Sequence, residues 1–140
     1  MGMDASAKTY HAANASFALI ILLVLGYSLA FRAGQHPIPS VITQVTGEAT
    51  PSKGLSASFS EIVRGNLAGA NSANPYGIRI FLFFAIQLAL RISVSLIVQT
   101  GRIRIGVLVL VDASVSGALF LWSFAPLIGY TLWAAIRVAS

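Results

Sequence analysis

Residues 15–31 pass without a charged side chain, and their centre, Phe17-Ala18-Leu19-Ile20-Ile21-Leu22-Leu23-Val24-Leu25, carries no polar group at all. That length meets the ~17–25 residues a helix requires to cross the hydrocarbon core of a bilayer. Two further apolar runs follow, over residues 78–98 and 105–136. Three such runs in 140 residues leave little chain for a water-soluble core, and charged residues fall to 9% against about 25% in ordinary soluble domains. The expectation is an all-α integral membrane protein, a single membrane domain over residues 1–140 with about three transmembrane helices.

The first span is set at residues 15–31. Lys8 precedes it in the manner of a signal peptide, but the run has the length of a full span and Ala33-Gly34-Gln35-His36-Pro37 makes a poor cleavage site, so the segment is read as retained. The second span is set at residues 78–98, because Asn74-Pro75 disfavours helix immediately before it. The third apolar stretch is too long for one ordinary span and too short for two. We place the span at residues 113–136, kinked at Pro126, with Trp122, Tyr130 and Trp133 as interfacial or packing residues and Arg137 as the end anchor. A start near Ile105 is the alternative, and it draws Asp112 into the span.

Between the first two spans, residues 32–76 are rich in Pro, Gly, Ser, Thr and Asn, and a loop of that length usually has structure of its own. Ser58-Phe59-Ser60-Glu61 has capping-box spacing. Leu55, Phe59, Ile62, Val63 and Leu67 recur at helical intervals, predicting a short amphipathic helix that ends near Gly65 or Gly69 and lies on the membrane surface or on a partner.

Two features point to interactions between helices. Gly26, Ala30 and Gly34 recur every four residues, a small-xxx-small stripe that permits close approach of another helix. Gln87, Arg91, Ser95 and Gln99 form a second four-residue repeat, and Arg91 lies near the middle of its span, where insertion of an arginine costs ~2.5–3.5 kcal/mol without a partner. That face is expected to look into protein, and an Arg91–Asp112 pair becomes possible if the third helix starts early.

Read as a string, Thr46-Gly47-Glu48-Ala49-Thr50-Pro51-Ser52-Lys53-Gly54-Leu55-Ser56, continued by Gly65-Asn66-Leu67-Ala68-Gly69-Ala70 and Asn74-Pro75, resembles the loop of an uncharacterised bacterial membrane-protein family, domain of unknown function 2752. Its pattern is T-G-x-x-C-P-x-C-G-x-T-R, a short helix, G-D/N-L-x-x-A and N-P before the next span. Thr50 and Lys53 stand at the two cysteines and Ala57 at the arginine. The resemblance therefore implies a scaffold of Gly47, Pro51, Gly54, Gly65, Asn66, Asn74 and Pro75 without thiol redox or metal chemistry, and so a structural role.

Little else suggests chemistry. The chain has no cysteine, four acidic residues and two histidines, with no pair at metal-binding spacing. His11 and His36 are weak candidates for contact with a pigment or haem, weighed against ordinary solvated histidines, and no cofactor is indicated. The nine Lys and Arg are scattered, which argues against nucleic acid and for lipid headgroups. Asn14-Ala15-Ser16 matches a glycosylation acceptor but abuts the span, and is discounted. Arg32, Lys53, Arg64, Arg79 and Arg137 fall on one side of the membrane and Lys8, Arg102 and Arg104 on the other, so the long loop and C-terminus are expected in the cytoplasm, at a bacterial inner membrane. The leading functional expectation is a non-catalytic accessory subunit of a larger membrane complex, a bioenergetic one among the options, with other subunits and lipids as partners. The second is a small oligomeric transporter or channel with Arg91 in its path.

Overall fold

A computed structural model of the chain describes residues 5–31, 51–101 and 103–139. It contains five helices among the described residues and no strand: α1 (Ala5–Ala30), α2 (Leu55–Ile62), α3 (Leu67–Ala73), α4 (Gly77–Thr100) and α5 (Ile105–Ala139). α1, α4 and α5 are each long and apolar enough to cross a membrane.

α1 starts ten residues before the apolar run. Residues 5–14 hold alanines and no breaker, and Thr9 and Ser16 return their hydroxyls to the carbonyls of Ala5 and Ala12 at 3.0 Å, which keeps these polar side chains within the helix. α4 begins at Gly77, right after Asn74-Pro75-Tyr76, and ends at Gly101, whose φ of 62° suits a glycine cap. α5 departs from the expected 113–136. Its first turn forms at Ile105, with Val107 and Leu108 donating to the carbonyl of Arg104, and the helix continues through Pro126. Nothing between Gly106 and Asp112 can stop a helix, so Asp112 becomes a residue of the span. At 1.5 Å per residue α5 is about 50 Å long, beyond the ~40–45 Å of a bilayer with its headgroups.

α4 is the middle helix, with α1 and α5 packed along it. The three converge at one end, where Val94, Val98 and Leu108 are buried against Ala7, Tyr10, Ile97 and Ile105.

The loop corrects two expectations. Ser58 is not an N-cap: the turn over residues 51–54 starts α2 one turn earlier, with Gly54 as its cap at φ 76°. Glu61 accepts from Asn66 Nδ2 at 2.6 Å instead of returning to Ser58. Nor is the loop helix single. Gly65, at φ 78°, ends α2, and Asn66 caps a second helix, α3, its Oδ1 accepting from Gly69 N at 3.0 Å. The apolar edge of α2 docks on the chain itself: Phe59 is buried edge-on against Phe81 and Phe84, with centroids 5.3 and 5.9 Å away. α2 also closes the end of α1. Ser60 Oγ donates to Phe31 O at 2.8 Å, and Arg64 donates to Ser28 O and Leu29 O at 3.3 and 3.2 Å, satisfying carbonyls that a helix C-terminus leaves open.

Candidate functional site: a polar knot between three helices

The site is built on four-residue spacing within each long helix. Tyr10 and Asn14 sit one turn apart on α1, Gln87 and Arg91 on α4, and Asp112 and Ser116 on α5. Each pair shares a helix face, and the packing turns the three faces toward one another.

Arg91 is the hub. Its Nη1 donates to Asn14 Oδ1 and Asp112 Oδ2, both at 2.7 Å, while its Nη2 pairs with Asp112 Oδ1 and donates to Ser116 Oγ at 2.9 Å and Gln87 Oε1 at 3.4 Å. Tyr10 Oη donates to Asp112 Oδ2 at 2.6 Å. Ser116 Oγ lies 3.2 Å from Gln87 Oε1 and 3.4 Å from Asp112 Oδ1. The ion pair is closed from solvent, its side chains 9% and 8% exposed. Its two-pronged geometry is the strong form of the arginine–carboxylate contact.

Guanidinium has donors only, so both neighbouring amides turn their oxygens toward it. Their nitrogens are thereby turned away, and Asn14 Nδ2 and Gln87 Nε2 are buried without a hydrogen-bond partner. The knot as a whole carries no net charge. Its single carboxylate is held by Arg91 and Tyr10, with the Ser116 hydroxyl 3.4 Å from Oδ1.

Of the residues singled out in the sequence, Gln87, Arg91 and Asp112 come together here. Ser95 does not join them: four helical residues turn 400°, so the stripe drifts about 40° per step, leaving Ser95 half-buried and Gln99 exposed. Gly26 and Ala30 lie exposed on α1, with nothing within 4 Å of a Cβ placed at Gly26, so their stripe is not used within this chain. Gly34, His36 and Gly47 lie outside the described residues. His11 has a buried Nδ1 without a partner, and no group of three His, Cys, Asp or Glu gathers among the described residues.

The loop residues form a second cluster. Asn74, 2% exposed, donates to Pro51 O and Lys53 O at 2.8 Å, and its Oδ1 accepts from Tyr76 N at 2.8 Å, bridging Pro75. A Cβ at Gly54 would meet Ala73 O at 2.2 Å, so backbone fills the space a side chain would need.

Trp122 and Trp133 hold cations over their rings: Arg79 lies 4.7 Å and Arg137 4.1 Å from the centroids, with Tyr130 6.2 Å from Trp133.

Tyr10, Asn14 and Ser116 escaped the sequence reading. Asn14 matches a glycosylation acceptor in sequence, and at 1% exposure it is an internal hydrogen-bond acceptor. The signal that finds all three is one polar pair at four-residue spacing in every long apolar helix.

Comparison with protein-family models, curated proteins and solved structures finds no match to this chain.

Proposed function

We propose that the chain is a non-catalytic accessory subunit embedded in a larger membrane assembly. The observation that carries this reading is the use made of Arg91. The one cation placed deep in a long apolar helix is engaged by Asn14, Gln87, Asp112 and Ser116 together, so its charge serves to join three helices. Much of the remaining apolar surface is uncovered, including Leu19, Leu22, Leu23 and Leu29 on α1 at 52–65% exposure. Other subunits and lipids are its complement. The described part of the loop fits the same reading, because Gly54 and Asn74 act on backbone. We place the protein in a bacterial inner membrane with α2, α3 and the C-terminus in the cytoplasm, since Lys53, Arg64, Arg79 and Arg137 share that end.

Gentle detergent extraction of the native membrane, native electrophoresis and mass spectrometry of the band test the proposal. Co-migration with a larger complex at fixed stoichiometry is the expected result. Migration as a small homo-oligomer with only lipid attached overturns it and brings forward transport along the Arg91 face.

A further inference from the structure

α2 and α3 mark the level at which water meets the bundle. They pack on α4, just before its first turn in sequence, and Lys53, Arg64 and Asn66 are exposed there. At the opposite end Arg104 immediately precedes α5. Along α5, Arg104 and Trp122 stand about 27 Å apart at 1.5 Å per residue, close to the ~30 Å of a bilayer's hydrocarbon core. Trp122 therefore lies where hydrocarbon meets headgroups, the level at which tryptophan collects.

Arg79 meets it there. From the first turn of α4 its guanidinium lies over the Trp122 ring, 4.7 Å from the centroid. Among the described residues, no carboxylate pairs with this guanidinium and no acceptor bonds to it. Its Nε is buried without a partner, which leaves Nη1 and Nη2 as the open edge of a half-buried side chain. Arg64 and Arg91 differ, since carbonyls engage the one and the knot engages the other. Glu61, the one described carboxylate at this end, accepts from Asn66 Nδ2. The group missing beside Arg79 is thus an anion with oxygens for a planar fork, which phosphate supplies.

The surface below says what that phosphate is attached to. Leu82 and Ile86 follow Arg79 on one face of α4, and Ala118 and Val115 precede Trp122 on one face of α5, all of them exposed. The contacts of Arg79 with Trp122 and of Arg91 with Asp112 make the two helices antiparallel. Both rows therefore descend together from the guanidinium into the hydrocarbon for about 10 Å, as an acyl chain would. A zwitterionic headgroup would bring its own cation to an end where Lys53, Arg64, Arg79 and Arg137 already outnumber Glu61.

We propose that Arg79 and Trp122 form a binding site for an anionic phospholipid, with its phosphate on the Nη edge and an acyl chain along the apolar rows beneath. The site deepens the proposed function by naming one lipid partner, and it rests on the reading of α4 and α5 as membrane spans.

The test uses the full chain in nanodiscs of dioleoylphosphatidylcholine. The chain has two tryptophans, so Trp133→Phe leaves Trp122 as the sole indole. Dibrominated phosphatidylglycerol and dibrominated phosphatidylcholine, which quench an adjacent indole, are compared at equal mole fraction. Trp122 should prefer phosphatidylglycerol by about three- to fivefold. The preference should vanish when Arg79→Gln is added, with helix content unchanged, and persist in Arg79→Lys. Should Arg79→Gln fail to fold, the salt dependence of the Trp133→Phe protein decides, since molar sodium chloride should weaken the preference. Equal quenching by the two lipids overturns the proposal, as does a preference that survives Arg79→Gln or ignores salt. Inorganic phosphate should not displace the brominated lipid, and displacement would mean a site for free anions, overturning the lipid assignment. Because the isolated chain is used, failure here leaves the subunit reading to native electrophoresis, and failure there leaves this site standing.

Discussion

Around Arg91, side chains from three helices bond to one another, whereas around Asn74 and Arg64 side chains bond to backbone. In the knot, Tyr10, Asn14, Gln87, Asp112 and Ser116 exchange hydrogen bonds through carboxylate, amide, hydroxyl and guanidinium groups. In the loop, Asn74 serves Pro51 O, Lys53 O and Tyr76 N, while Ser60 and Arg64 serve Phe31 O, Ser28 O and Leu29 O. The difference follows from what each backbone still needs. A long helix in apolar surroundings satisfies its own peptide groups, so a buried polar side chain there turns to other side chains, as in the knot, or, when it is a short hydroxyl, back to the carbonyl one turn earlier, as Ser28 does to Val24 O at 3.2 Å. A turn leaves peptide groups open, so polar side chains there complete the backbone.

Breaking the knot should have the largest effect. Asp112→Ala leaves a buried guanidinium without its counter-ion, and loss of one partner of such a pair costs ~3–5 kcal/mol. The fall should appear as earlier unfolding in a denaturing-detergent titration followed by circular dichroism. The double variant Arg91→Met with Asp112→Leu should recover most of the loss, because a buried ion pair exchanged for apolar groups of similar size is often neutral. A double variant no more stable than Asp112→Ala would mean that the side chains act singly and not as a pair.

The loop should break more gently and more locally. Asn74→Ala leaves the acceptors at Pro51 and Lys53 and the amide of Tyr76 open, at about 1–3 kcal/mol. Amide exchange should quicken over residues 51–77 and stay unchanged along α5. Combined with Asp112→Ala, its effect should add within ~0.5 kcal/mol, as for independent sites. Strong coupling would show that the two clusters form one cooperative unit.

The same contrast explains what was legible in the sequence. Turn residues carry their reason locally: Gly54 and Gly65 at positive φ and Asn66 as a cap are recognisable as Gly and Asn before any fold is known. The three long helices declare themselves by apolar length. The knot is a product of packing. Arg91 betrays itself by the cost of its position, and Asp112 can be paired with it only by counting depth from the shared turn at Gly101. Asn14 and Tyr10 stand far from Arg91 in sequence, and nothing local says that α1 will lie beside α4. Ser58 illustrates the opposite error. Its capping-box spacing was a real local signal, overridden because Gly54 already starts the helix one turn earlier and leaves Ser58 buried opposite Gly77, where a Cβ would come within 1.9 Å of Ser58 Oγ.

The smallest effect belongs to Arg64, which lies between the two plans: a charged side chain, like Arg91, that serves backbone, like Asn74. It is exposed, and its guanidinium spans Ser60 O at 2.6 Å, Ser28 O at 3.3 Å and Leu29 O at 3.2 Å. Two influences act there together, hydrogen bonding to open carbonyls and the attraction of a cation to the negative end of a helix dipole, the latter worth ~0.3–1 kcal/mol. Arg64→Gln removes the charge and the fork and should lower stability by about 1 kcal/mol, with faster amide exchange confined to the last turn of α1. Arg64→Lys separates the two influences, since lysine keeps the charge but cannot present two nitrogens in a fixed plane. If the lysine variant matches the native protein, the dipole dominates at this end of α1. If it matches Arg64→Gln, geometry dominates, and the contact works by the rule of Asn74, in which a shaped side chain finishes the hydrogen bonding of a chain end.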